Sequence, residues 1–249
     1  MGEFRSAEWD RDLPAWHEIL RWPLPDSVAI DRWLIRTLGL VARNQIGSVS
    51  GLEHIRPEHD PFVLVANHSS RREALLLPAL LILHRRGQLI HFLADWNFRL
   101  IPGVGFLYRR GGTITVGRKP ARPRFLNHLK PFLTDPQPAI QRARSHVEAG
   151  KSVGMFPEGT VNRDRSRLLP GRYGAARLSL ETGVPVVPVG IRFAEEMNIQ
   201  IGAPLVPPAS AGGAMPADLR AWHGAIMTEI ARLSGKEWPQ RREHRHDPG

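Results

Sequence analysis

The chain has 249 residues, a formal net charge of +10 and a pI near 11.1. It contains no cysteine, which excludes disulfides, thiolate catalysis and zinc–thiolate sites. The length suits one large domain with a substantial core. The charge points to an anionic partner: a phosphate-bearing substrate, an acidic carrier, a membrane surface or nucleic acid.

The N-terminus is acidic and aromatic, with Glu3, Glu8, Trp9, Asp10 and Trp16, unlike a signal peptide. Trp9, Trp16 and Trp22 either touch a lipid interface or pack on the domain. No apolar run approaches the roughly 18–20 residues of a transmembrane helix, so any membrane contact is expected to be peripheral. Residues 27–43 read as an amphipathic helix with Ile30, Trp33, Leu34, Leu38 and Val41 on one stripe. Such a basic helix lies in a membrane interface or docks on the domain. Residues 1–45 are therefore read as an N-terminal helical segment.

Gly47 to Gly51 reads as a turn-rich approach to a strand. Phe62 to Ala66 is a short, apolar, β-branched strand, and residues 74–84 form an apolar helix. Leu89 to Leu93 is a second strand. Residues 101–108, punctuated by Pro102, Gly103 and Gly105, turn into a short helix or loop. Gly112 to Arg118 is a strand that ends in arginine. Residues 109–130 carry Arg109, Arg110, Arg118, Lys119, Arg122, Arg124 and Lys130 without an acidic residue. That run is a phosphate- or membrane-facing flap or a solvated basic loop. It lacks an RNA-recognition aromatic motif and a helix-turn-helix signal, so no nucleic acid partner is expected.

Ala139 to Ala149 is helical, and Ser152 to Phe156 is a strand. Val161 to Gly171 is a polar, basic loop. Tyr173 to Thr182 is a helix closed by Gly183. Val184 to Ile191 is apolar but holds Pro185 and Pro188, which predicts an edge or irregular strand. A short strand follows at Ile199 to Ile201. Pro216 to Leu233 is a last amphipathic helix, with Leu219, Trp222, Ile226, Ile230 and Leu233 on one side. The tail, residues 236–249, is charged and expected to be loose. Alternating strands and helices make residues 46–235 a single α/β domain, with a mostly parallel or mixed central sheet flanked by helices.

The chemistry concentrates after the first apolar strand. Val63-Leu64-Val65-Ala66 runs into Asn67-His68, and Glu73 follows five residues after the histidine. On one helix, residues five apart would point about 140° away from each other. The two meet only if His68 lies in the loop and Glu73 in the first helical turn, leaning back. A carboxylate on one ring nitrogen leaves the other as a base. The competing reading is structural: Ser70-Arg71-Arg72-Glu73 also has the form of a capping box.

Four blocks, in order over residues 45–205, resemble the glycerolipid acyltransferase family, of which lysophosphatidic acid acyltransferase is the best-known member. Asn67-His68 with Glu73 resembles N-H-x4-D. Gly112 to Arg118 resembles G-x-I-x-x-D-R. Phe156-Pro157-Glu158-Gly159-Thr160 matches F-P-E-G-T, and Val184 to Val189 matches the proline-bearing fourth block. The first and third blocks, 90 residues apart and each preceded by a strand, carry most of the specificity.

The resemblance implies transfer of a fatty acyl group from an acyl-CoA or acyl-carrier-protein thioester to a hydroxyl, with no covalent acyl-enzyme. His68 would take the acceptor proton and Glu73 would orient it. Backbone N–H groups near the helix start would stabilise the oxyanion. Arg118 would pair with an acceptor phosphate, and Asn67, Glu158, Gly159, Thr160 and Arg163 would complete the substrate site. Three departures stand out. Glu73 replaces Asp, Gly117 replaces Asp, and Val161 stands where an arginine commonly follows the third block. They leave the thioester chemistry in place and open the acceptor to a non-phosphate hydroxyl, such as an aminoacyl lipid.

The expected partners are a thioester donor, a hydroxyl-bearing lipid acceptor (lysophosphatidic acid first) and an anionic membrane surface on its cytoplasmic side. The donor is a co-substrate, and neither a further cofactor nor a metal is expected, because the eleven histidines are scattered. Other readings are a non-catalytic, membrane-associated lipid-binding protein of the same fold and a thioester hydrolase.

Overall fold

All four residues of Val63–Ala66 are buried, which places this strand inside a sheet covered on both faces. The computed structural model describes residues 13–239 except 26, 71, 102, 122, 194 and 210–214. Its strands are β1 (Ile46–Ser50), β2 (Val63–Ala66), β3 (His91–Asp95), β4 (Ile114–Val116), β5 (Val153–Met155), β6 (Val186–Phe193) and β7 (Met197–Ile201). Its helices are α1 (Trp16–Arg21), α2 (Ala29–Arg43), α3 (Glu73–His84), α4 (Val104–Arg110), α5 (Lys130–Leu133), α6 (Ala139–Glu148), α7 (Gly174–Thr182) and α8 (Pro216–Ser234). The strands form one seven-stranded sheet in the order β1-β7-β6-β2-β5-β3-β4. Neighbours are parallel except β6 and β7. The domain is thus the α/β fold with a mostly parallel, mixed sheet that the sequence predicts.

Alternate residues of each strand feed two cores. Leu64 and Ala66 join Val187, Val189 and Phe92 on the face that α2 and α3 cover. Val63 and Val65 join Val153 and Met155 on the face covered by α6, α7 and α8. Helix α3 is apolar nearly all round because it lies between the sheet and α2. Gly39 permits the close crossing: a Cβ there would stand 2.9 Å from Leu83 Cδ2.

Several expectations need correction. Residues 46–50 are themselves an edge strand, paired parallel with β7 through an irregular register. Strand β6 is not at an edge; it lies between β7 and β2. Its proline is tolerated because Pro188 sits opposite Gly202, one residue past the end of β7, and accepts the Gly202 N–H at 2.8 Å. The missing donor therefore falls where the antiparallel ladder has ended.

The predicted stripe of α2 splits. Ile35, Gly39 and Ala42 face the core, Leu34 and Leu38 line a cleft, and Ile30, Trp33 and Val41 remain exposed, Trp33 at 62%. Trp22 packs against the core and Trp16 is exposed. Glu3, Glu8, Trp9 and Asp10 lie outside the described residues.

The first residues of the tail, Lys236 to Trp238, are tied to neighbouring loops. Gly235, at φ +65°, turns the chain back after α8. Lys236 Nζ then donates to Ser69 Oγ at 3.0 Å and to the Asp164 carbonyl at 2.7 Å. Glu237 donates its N–H to Ser166 and accepts that of Leu168. Trp238 Nε1 donates to the Pro170 carbonyl at 3.3 Å. Residues 240–249 lie outside the described residues.

Candidate active site

Parallel pairing brings the sequence blocks to one edge of the sheet. Val65 pairs with Met155, so the chain leaves β2 and β5 side by side, toward their carboxyl ends. That edge is where open α/β sheets bind ligands. The two exit loops are laced together. The His68 N–H donates to Glu158 Oε1 at 2.9 Å, and the Asn162 N–H donates to the His68 carbonyl at 2.6 Å.

His68 sits in the loop, and Glu73 is the first residue of α3. His68 Nδ1 lies 2.7 Å from Glu73 Oε1. The Glu73 side chain is fully buried, and its second oxygen has no hydrogen-bond partner among the described residues. The extra methylene of glutamate is thus accommodated by the start of the helix. The capping-box alternative does not form: Ser70 Oγ accepts the Arg72 N–H at 3.0 Å, and the Glu73 carboxylate turns to the imidazole. Phe156 stacks on His68 at 4.6 Å between ring centroids, 26° from parallel. A carboxylate on Nδ1 selects the tautomer that leaves Nε2 unprotonated.

Two predicted substrate ligands serve as struts beneath the site. Asn67 is fully buried; its amide donates to the Ile191 carbonyl at 2.9 Å and accepts the Ile191 N–H at 2.6 Å, extending the β2–β6 pairing. Glu158 is 5% exposed, and both its oxygens accept backbone N–H groups, from His68 and, at 2.9 Å, from Leu169. Neither side chain lines the cleft. Gly159, Thr160, Arg118 and Arg163 do, together with His68. Gly159 needs its left-handed φ of +67°, and its carbonyl accepts Lys119 Nζ at 3.3 Å.

The cleft has a volume of about 2130 Å³. Its apolar part is walled by Leu34 and Leu38 of α2, Leu75, Pro78 and Ile82 of α3, and Leu107 of α4. Its polar part holds Arg118, Lys119, Arg163, Arg172 and Arg177. At the α2–α4 rim, Arg110 binds Asp31 with both contacts at 2.6 Å. Reading by blocks missed Arg172, which lies between the third and fourth blocks, and Lys236, which lies beyond the last. Arg122, part of the basic run, lies outside the described residues. Among the described residues no group of three or more His, Asp or Glu is placed to hold a metal.

An imidazole held by a buried carboxylate, in a cleft lined by apolar and cationic side chains, suits proton abstraction from an amphiphilic substrate. The chain belongs to the acyltransferase family, whose pattern matches residues 48–192, more than half of the sequence. A chloroplast 1-acyl-sn-glycerol-3-phosphate acyltransferase of Brassica napus is 30% identical over 141 residues, 57% of this chain and 36% of that protein. A lyso-ornithine lipid O-acyltransferase of Pseudomonas aeruginosa is 31% identical over 147 residues, 59% of this chain and 48% of that protein. The chain therefore matches half or less of the length of these curated relatives. The crystal structure of the 1-acyl-sn-glycerophosphate acyltransferase of Thermotoga maritima superposes with a TM-score of 0.56. The identity is 20%, and the superposition covers 84% of this chain and 83% of that one. The fold is shared.

Proposed function

We propose that the protein moves a fatty acyl group from acyl-CoA or acyl-carrier protein to the hydroxyl of a lysophospholipid, lysophosphatidic acid first, with His68 as general base. The observation that carries this reading is the 2.7 Å contact of His68 Nδ1 with the buried Glu73, in a cleft lined by both apolar and cationic side chains. The acceptor hydroxyl gives its proton to His68 Nε2 as its oxygen attacks the thioester carbonyl. Glu73 stabilises the imidazolium that forms. The N–H groups that precede Leu75 at the start of α3 are the candidate donors to the oxyanion, since those of Leu75 and Leu76 bond the Arg72 carbonyl. The tetrahedral intermediate then expels the thiolate, which takes up the proton. Arg118 and Arg163 face the acceptor's anionic group.

A second acceptor is favoured by one comparison: the Pseudomonas aeruginosa relative is named for a lyso-ornithine lipid. It fits the absence of arginine at Val161. The protein would work as a peripheral protein on the anionic cytoplasmic membrane surface, where thioester donors are available. No described helix is long and apolar enough to cross a membrane. The exposed Trp16, Leu20, Ile30, Trp33 and Val41 support interfacial contact.

The test is thiol release from a long-chain acyl-CoA by the purified protein, with lysophosphatidic acid, with lyso-ornithine lipid and with no acceptor. Release that requires lysophosphatidic acid is expected. Release only with lyso-ornithine lipid would replace the acceptor. Release without acceptor would make the protein a hydrolase. No release from acyl-CoA or acyl-carrier protein would favour a lipid-binding protein.

A further inference from the structure

The charges lining the cleft are unequal in their pairing. Asp31, Asp95 and Asp135 each lie against a cation: Arg110, Lys119 at 3.7 Å and Arg142 at 3.4 Å. Arg118, Arg163, Arg172 and Arg177 also line the cleft, and none has a carboxylate partner among the described residues. Guanidinium groups without a carboxylate partner in one cleft favour an anion there.

Among these, Arg172 is tied by its main chain to the turn whose Glu158 holds the His68 N–H. Its backbone N–H donates to the Pro157 carbonyl at 2.9 Å, which ties its main chain to the Phe156–Thr160 turn. Its guanidinium lies over Gly159: a Cβ built there would stand 2.7 Å from Arg172 Nε and 3.0 Å from Cζ. Lys119 reaches the carbonyl of the same glycine. Gly159 follows Glu158, whose carboxylate holds the His68 N–H. Two cations from different loops thus converge on one backbone position next to the catalytic turn. Any residue larger than glycine would displace one of them.

We propose that Arg172 and Lys119 seat a phosphate monoester against Gly159, and that Arg172 supplies the cation that Val161 does not. This deepens the proposed acyl transfer and rests on it for the identity of the substrate. Two molecules carry the chemistry, the acceptor head group and coenzyme A. The site suits the acceptor. In a glycerol phosphate the anion lies close to the hydroxyl that must reach His68, whereas the phosphates of coenzyme A lie beyond the pantetheine arm. A guanidinium engages a phosphate through two parallel N–H donors, which fixes orientation as well as charge.

The experiment is calorimetric titration of the full-length protein with glycerol 3-phosphate and, separately, with coenzyme A, for the wild type, Arg172→Ala and Arg172→Lys. Arg172 is exposed, so both variants should fold; circular dichroism checks this. Glycerol 3-phosphate binding is expected to weaken by roughly tenfold or more in Arg172→Ala. Arg172→Lys should recover part of the loss, and coenzyme A affinity should not change. Equal glycerol 3-phosphate affinity in wild type and Arg172→Ala overturns the proposal. So does a wild type that binds none, or a loss confined to coenzyme A. Turnover is measured in parallel. A wild type that binds glycerol 3-phosphate through Arg172 yet acylates no lysophosphatidic acid leaves the anion site standing and removes the acyl-transfer reading instead.

Discussion

Glu158 accepts the backbone N–H of His68 at 2.9 Å, across 90 residues of sequence, and with its other oxygen holds the N–H of Leu169. One buried carboxylate therefore fixes the loop that carries His68 and the segment at Leu169. In Glu158→Gln, the amide would turn an N–H group toward one of these two donors. That leaves a buried N–H unpaired and removes a charged acceptor, at about 1–3 kcal/mol of stability. Denaturant unfolding should show that loss, and kcat should fall more than acceptor KM changes. A raised acceptor KM with unaltered unfolding would instead make Glu158 a substrate ligand.

The His68–Glu73 pair predicts a different signature. His68→Ala should abolish transfer and leave the circular dichroism spectrum unchanged, because the ring stands at the cleft and not in either core. Glu73→Gln should lower kcat by about 10²–10⁴, since the amide can no longer hold the imidazolium. Glu73→Asp withdraws the carboxylate from a histidine already in contact, and a loss of roughly tenfold or more is expected. Normal turnover in His68→Ala would end the general-base mechanism.

The local pattern of the sequence carried much of this site. Asn67-His68 after an apolar strand, with Glu73 at the start of an apolar helix, required His68 in the loop and Glu73 in the first turn, and that is where both lie. What the blocks could not show was direction. Asn67 and Glu158 are polar residues inside motifs, and only the neighbouring strand and loops reveal that they point away from the cleft, into backbone partners. Prolines suggested an edge or irregular strand for β6, yet it lies between β7 and β2, and the pairing of distant segments is a non-local fact. Lys236 lay in a charge run of the kind that is usually solvated. Its contact with Ser69 spans 167 residues and leaves no local signal.

The exposed face of α2 predicts how the protein meets lipid. Ile30, Trp33 and Val41 form an apolar surface that none of the described residues covers, beside the exposed Arg32. Ile30→Glu with Trp33→Glu should reduce flotation with anionic vesicles without lowering the unfolding midpoint, because neither side chain is in the core. Wild-type binding should weaken as salt rises, through screening of the basic surface. Equal flotation of the wild type and the double variant would exclude this face as the contact.

Acid stability provides the last prediction. His84, the final residue of α3, is pushed down to about 4 by burial. Arg56 and Arg85 lower it further, while a hydrogen bond with the Leu52 backbone and the charge of Glu53 oppose the shift. Burial also lowers His91 and His223. A histidine held neutral in the folded state binds fewer protons there than in the unfolded chain. Stability is then complete above the unfolded value near 6.5 and is lost as pH falls toward 4. His84 alone accounts for at most about 3 kcal/mol of that loss. Urea midpoints between pH 7 and pH 4 should fall steadily in the wild type. The decline should be shallower in His84→Gln, with the remaining slope belonging to His91, His223 and the carboxylates. An identical pH slope in the two proteins would show that His84 charges freely in the folded state.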